Sequence, residues 1–113
     1  MLSKKLVARY HELKQQVPDC ILFMQVGVFM QMLDEDAQVV SKIADIELQV
    51  AGNAKSPTVK CGFPVSALDK YVGRLIRADY DVAIALQDDT KERYIREIIR
   101  AQIERPVQNW GIW

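Results

Sequence analysis

The stretch Met24-Gln25-Val26-Gly27-Val28-Phe29-Met30-Gln31-Met32-Leu33 decides how this chain is read. Two short apolar runs flank a glycine, so a tight reversal is predicted, with Phe29 just past its tip. By itself Gly27-x-Phe29 leaves two outcomes open. Phe29 can fill the core, as most phenylalanines do. Alternatively it can stand on the bend and stack on a base or wedge between base pairs, with the amide of Gln31 placed to hydrogen-bond a base edge.

Upstream, Ile21-Leu22-Phe23-Met24 is short, apolar and bounded by Pro18-Asp19 and Gly27, as a buried strand would be; Phe29 to Leu33 answers it. From Ser3 to Gln16 the residues Leu6, Val7, Tyr10 and Leu13 recur at helical spacing, with Ser3 as N-cap and Pro18 as the stop. Asp34-Glu35-Asp36 places three carboxylates in the first turn of a second helix, where the macrodipole favours them, and Ala37, Val40, Ile43 and Ala44 supply its buried stripe. Ile46, Leu48 and Val50 alternate with polar residues, as a strand with one wet face does. A loop from Gly52 to Pro57, carrying Lys55 and Ser56, leads to a strand from Thr58 through Lys60, Cys61 and Gly62 to Phe63-Pro64. Ser66 can cap a third helix with Leu68, Tyr71, Val72, Leu75 and Ile76 inward, and Lys70, Arg74 and Arg77 outward. Asp81-Val-Ala-Ile-Ala-Leu86 reads as a buried central strand. Tyr94, Ile95, Ile98, Ile99 and Ile103 then keep helical spacing, so a last helix is expected from Thr90 to Glu104, ahead of a tail holding Trp110 and Trp113.

These elements predict one α/β domain over residues 1–113: a mixed sheet of about five to six strands flanked by three to four helices. The length and the apolar half of the 113 residues suit a single core. Fifteen Lys and Arg balance fifteen Asp and Glu, so no whole-molecule field draws the chain to polyanions and any such contact must be local. Cys20 and Cys61 lack the spacing of a zinc or redox site and no signal peptide precedes them, which points to a reduced, cytoplasmic compartment. No apolar run approaches the roughly 18 residues of a membrane-spanning helix, so no membrane partner is expected.

Catalytic readings find little to use. His11, the single histidine, falls on the outward part of the first helix with no nucleophile tied to it by a motif. Cys61 beside Gly62 reads as a small buried residue at a strand end. The acidic triplet needs no metal to explain it, and Arg93, Arg96, Arg100 and Arg105 are interleaved with Glu92, Glu97 and Glu104, as on a solvated, ion-paired face. No catalytic residue, metal or cofactor is expected.

From about Leu6 to Gln87 the chain resembles the N-terminal mismatch-recognition domain of the MutS family. The residues that carry this are Tyr10-x-x-Leu13-Lys14 and Pro18; Leu22-Phe23 through Gly27-x-Phe29; Asp36-Ala37; Asp45-Ile46-x-Leu48; Cys61-Gly62-Phe63-Pro64; Ala67-Leu68-x-x-Tyr71-Val72-x-x-Leu75-Ile76; and Val82 to Gln87. The resemblance implies a mixed sheet surrounded by helices and a Phe-x-Glu motif that enters the minor groove, the Phe stacking on the mispaired base. Phe29 falls on that Phe. The motif here is Phe29-Met30-Gln31, an amide where the family has a carboxylate; Val28 replaces the usual acid before the Phe, and Val50-Ala51 replaces a basic pair. Gln31 keeps the shape and the hydrogen bonding of the lost acid. Lys55 and Lys60 are the nearby cations left to meet phosphate.

Two functions follow as expectations. One is a stand-alone DNA-binding module for mismatched or distorted duplex, using Phe29, Gln31, Val28, Lys55 and Lys60, alone, as a homodimer or beside a larger repair protein. The other is a protein-interaction or homo-oligomerisation module that uses the apolar hairpin tip and the two-Trp tail. The chain has no Gly-x-x-x-x-Gly-Lys-Ser/Thr phosphate loop to power either.

Overall fold

The computed structural model describes residues 3–53 and 56–101, with residues 51–53 and 56 described by backbone path alone. Helix α1 (Lys4–Gln16) leads to strands β1 (Ile21–Val26) and β2 (Phe29–Leu33), then helix α2 (Asp34–Ala44). Strands β3 (Gln49–Asn53) and β4 (Ser56–Pro64) follow; a short 3₁₀ turn (Val65–Ala67) opens helix α3 (Leu68–Arg77), and β5 (Val82–Gln87) and β6 (Arg93–Ile99) complete one sheet. The strand order is β3-β4-β2-β1-β5-β6. Only β1 and β5 run parallel; the other neighbours are antiparallel, which makes the expected mixed α/β sheet.

Strand alternation divides the core into two layers. Ile21 and Phe23 of β1, Met30 and Met32 of β2, Cys61 and Phe63 of β4, and Val82 and Ile84 of β5 face α2 and α3. Leu22, Met24, Leu33, Ala83 and Ala85 face α1, against Tyr10, Leu13 and Val17. Because β1 buries both faces it carries no polar alternation at all. Each large side chain buried there contributes roughly 1.5–3 kcal/mol.

Asp36 locks the α1 layer. The three acids do occupy the first turn of α2, but Asp36 is buried, and its Oδ2 accepts from the Tyr10 hydroxyl at 2.8 Å and the Leu22 N–H at 3.1 Å. Lys14 Nζ donates to its Oδ1 at 3.0 Å and also to the Cys20 carbonyl. Helix α1, strand β1 and helix α2 thus share one carboxylate. Burial, with the adjacent Asp36 charge, raises the Tyr10 pKa well above its ordinary value.

Several expected elements are revised. Residues 93–99 form a strand, not a helix, and a register shift explains why the sequence reads otherwise. Ile99 pairs with Val82 and Ile98 with Ala83, but Ala85 pairs with Ile95 after Ile84 has paired with Glu97, so Arg96 is the extra residue of a bulge. Ile95 then joins the α1 layer while Ile99 packs on the other. The bulge erases the period of two and leaves apolar residues four apart, an imitation of helical spacing. The otherwise open edge of β5 takes the segment as a strand.

The turn before β6 is closed by Asp88 rather than capped by Asp89 or Thr90 as a helix start. Its Oδ1 accepts from the Thr90 N–H and hydroxyl and the Glu92 N–H, and these bonds, the Thr90 hydroxyl first, hold its pKa below the usual value. Ser66 lies in the 3₁₀ turn and makes no cap, so α3 begins at Leu68. Residues 46–48 precede β3 instead of forming a strand, and Arg74 turns inward to donate to the Ala44 carbonyl at the end of α2 at 2.9 Å. The Trp-bearing tail lies outside the described residues.

Candidate nucleic-acid interface

The hairpin pairs Met24 with Gln31, Gln25 with Met30 and Val26 with Phe29, leaving Gly27-Val28 as a two-residue loop. Gly27 has φ +63°, and a Cβ there would meet nothing within 4 Å. The requirement for glycine is therefore backbone conformation rather than space, as in hairpin loops whose first residue is Gly.

A set of hydrogen bonds braces the tip. Gln25 Nε2 donates to the Gly27 carbonyl at 3.0 Å, Gln25 Oε1 accepts from the Gln87 N–H at 2.9 Å, and Gln87 Oε1 accepts from the Gly27 N–H at 2.9 Å. On one side Val65 N–H donates to the Val28 carbonyl at 2.8 Å; on the other Arg93 Nε donates to the Gln25 carbonyl at 2.6 Å. The loop is held by Gln25 of β1, Gln87 of β5, Arg93 of β6 and Val65 of the 3₁₀ turn. Nothing in the sequence signals that Gln25, Gln87, Arg93 and Val65 act together, because their pairing spans up to 68 positions.

This bracing holds an aromatic ring in the open. Phe23 and Phe63 are 0% and 2% exposed and pack edge to face, whereas Phe29 is 46% exposed and Val28 is 72% exposed. Gln31 follows Phe29 on the same face of β2, about 7 Å along the strand. Gly62 is its cross-strand partner, and a Cβ on Gly62 would lie 2.7 Å from the Met30 carbonyl oxygen and 3.2 Å from the Gln31 amide. Glycine at position 62 thus lets the Gln31 side chain lie against β4. Phe29, Gln31 and Gly62, with Ile46, Glu47 and Gln49, line an open recess of about 310 Å³.

Lys60 pairs with Leu33 in β2 and Gln49 in β3, which puts it on the face of Phe29 and Gln31. Lys55 lies outside the described residues; of the other expected DNA contacts Val28, Phe29 and Gln31 sit together on the hairpin, while Lys60 lies opposite Leu33, at the end of β2 away from the tip. Val50 is 74% exposed on the edge strand β3.

The groups weighed for catalysis sit elsewhere. His11 Nε2 and Asp34 Oδ2 are 2.9 Å apart on the surface. Cys61 is buried, its thiol donates to the Ala37 carbonyl, and burial pushes its pKa up to about 11, the opposite of a poised nucleophile. Among the described residues no group of three or more His, Cys, Asp or Glu could hold a metal ion. No helix among them is long and apolar enough to cross a membrane.

The family model described as MutS domain I matches residues 4–110. Among curated proteins, the chain is 34% identical over 99 residues to the DNA mismatch repair protein MutS of Anaplasma phagocytophilum, covering 88% of this chain and 12% of that protein. It is 40% identical over 86 residues to MutS of Zymomonas mobilis, covering 75% and 10% of the two chains. It is 33% identical over 111 residues to MutS of Staphylococcus carnosus, covering 94% and 13%. The chain therefore spans about an eighth of the length of the curated relatives it matches. With the family model spanning nearly all of it, this chain belongs to the MutS domain I family.

Proposed function

We propose that this chain is a non-enzymatic DNA-recognition module that binds mismatched or distorted duplex, Phe29 entering the minor groove and stacking on the displaced base while Gln31 hydrogen-bonds it. The observation that carries this reading is the exposure of Phe29 on a hairpin braced from β5, β6 and the 3₁₀ turn, with Gln31 on the same face. A braced wedge loses little conformational freedom on insertion, which matters because the energies are close. Unstacking a base step costs a few kcal/mol, and an aromatic stack returns about 1–3 kcal/mol per base. Mismatched steps are the cheapest to open, so a marginal wedge selects for them.

Gln31 offers both a donor and an acceptor without a carboxylate charge beside the phosphates, so this site reads the base with less dependence on its protonation than an acid would. Val28 gives the tip an apolar rim, and Lys60 and Lys55 supply local positive charge. In a longer polypeptide, a homodimer or a complex with another repair protein, further contacts would add to this affinity by raising the local concentration of the hairpin.

The test is fluorescence anisotropy with a mismatched and a matched duplex at low and moderate salt, for the wild type and Phe29→Ala. The wild type is expected to prefer the mismatch, and Phe29→Ala to lose the preference while retaining the fold. Absence of binding to either duplex at low salt and high protein concentration overturns the reading. A second reading, self-association through the apolar tip, draws on the exposure of Val28 and Val50 together with the zero net charge. A concentration-dependent increase in mass that Val28→Asp abolishes would favour it.

A further inference from the structure

The chain lacks a basic pair on β3, yet cations gather elsewhere at the hairpin end of the sheet. Helix α1 is followed by β1, whose C-terminal end is the hairpin; the N-terminal half of α1, the tip and the β5–β6 turn therefore meet at one end. A cleft of about 520 Å³ opens there between α1 and that turn. Its charged lining is Lys5, Arg9, Lys91 and Arg93 against Glu12 and Glu92, a local excess of positive charge in a chain with none overall.

The two arginines are fixed. Arg9 donates through Nε and Nη2 to the Arg93 carbonyl and pairs with Glu12 at 3.2 Å, and Arg93 in turn holds the hairpin through Gln25. Lys5 and Lys91 are exposed and form no ion pair among the described residues. The cleft also lies on the correct side. Phe29 shares the face of Leu33, which packs in the α1 layer, and the cleft is bounded by α1. From β2 to β6 is three inter-strand spacings, about 14 Å, or about four base steps along one DNA strand.

We propose that this cleft binds phosphate, with Lys5 and Lys91 as its contacts, and that on a duplex engaged by Phe29 it grips the backbone a few nucleotides from the wedge. The second half rests on the DNA-binding reading above. The cleft thus supplies from α1 and the β5–β6 turn the electrostatic attraction that Val50 and Ala51 do not. Contacts to phosphate carry affinity without sequence information, so they weaken matched and mismatched binding alike when lost.

The experiment compares the wild type, the double variant Lys5→Gln/Lys91→Asn and the control Lys42→Gln/Lys70→Gln, which removes equal charge from α2 and α3 on the opposite face. Asparagine is chosen at position 91 because that residue has φ +68°, which asparagine tolerates. Each protein is titrated with mismatched duplex over a salt series and, separately, with pyrophosphate while backbone amide shifts are recorded.

The cleft variant is expected to lower the slope of log affinity against log salt by about 1.8, two phosphate contacts, for both duplexes, while the control barely changes it. A wild-type slope in the cleft variant, with DNA still bound, overturns the cleft and leaves the Phe29 wedge standing. If the wild type binds no duplex, the wedge reading fails and pyrophosphate decides. Shifts confined to Lys5–Arg9 and Thr90–Arg93 that the cleft variant abolishes support a phosphate cleft; no shifts, or shifts spread evenly over the surface, overturn it.

Discussion

Asp36 shows how one residue can hold a meaning its neighbours hide. The run Asp34-Glu35-Asp36 looks like helix-start charge, and for Asp34 and Glu35, both exposed, it is. Asp36 instead accepts three hydrogen bonds, from Tyr10, Leu22 and Lys14, inside the α1 layer. Losing one donor from a buried carboxylate leaves desolvation uncompensated, so Tyr10→Phe is expected to destabilise the protein by about 1–3 kcal/mol in urea unfolding, although it removes only a hydroxyl. Phe29, by contrast, was conspicuous in the sequence, yet its fate was open. The chemistry of a phenylalanine is the same in a core and on a tip; only the tertiary arrangement, which buries Phe23 and Phe63 in the α2–α3 layer and leaves Phe29 at the hairpin end of the other face, settles which one is outside.

At the scale of the element, the hairpin and β6 behave differently. The hairpin was legible because glycine between apolar runs is local information: its two-residue loop needs the positive φ that Gly27 supplies. Its bracing was not legible, since Gln25 and Gln87 meet across 62 positions. Gln87→Ala deletes the acceptor of the Gly27 N–H while leaving the β5 backbone intact. We expect a global cost of about 0.5–1.5 kcal/mol together with faster hydrogen exchange at Gly27 and its neighbours, and a weaker mismatch preference if the tip works as a wedge. In β6, local information misled. Tyr and Ile suit strands as well as helices in a periodic pattern, and the bulge at Arg96 supplied the helix-like spacing. Only an unpaired edge on β5 made the strand the better outcome.

For the whole molecule, the two-layer core makes a prediction about pH. Cys61 and Cys20 are both buried and burial raises both thiol pKa values, Cys61 from about 9 to about 11. Between about pH 9 and 11 the unfolded chain has released the Cys61 proton while the folded chain keeps it, so stability falls as pH rises, by at most about 1.4 kcal/mol per pH unit for one thiol. Tyr10 extends the same trend to higher pH. Thermal melts from pH 7 to 11 should show this alkaline loss, and Cys61→Ala, less stable at pH 7 because it leaves a small void, should have a shallower alkaline limb. The apolar spacing and turn glycine were enough to determine a mixed α/β sheet, because periodicity and loop conformation are properties of neighbouring residues, and the order of motifs carried the resemblance to its family. The tertiary structure alone decided that Phe29 is outside, that residues 93–99 are a strand, and that Lys5, Arg9, Lys91 and Arg93 share a cleft. Each of these depends on which surfaces distant segments leave uncovered when they meet, and no local pattern encodes that.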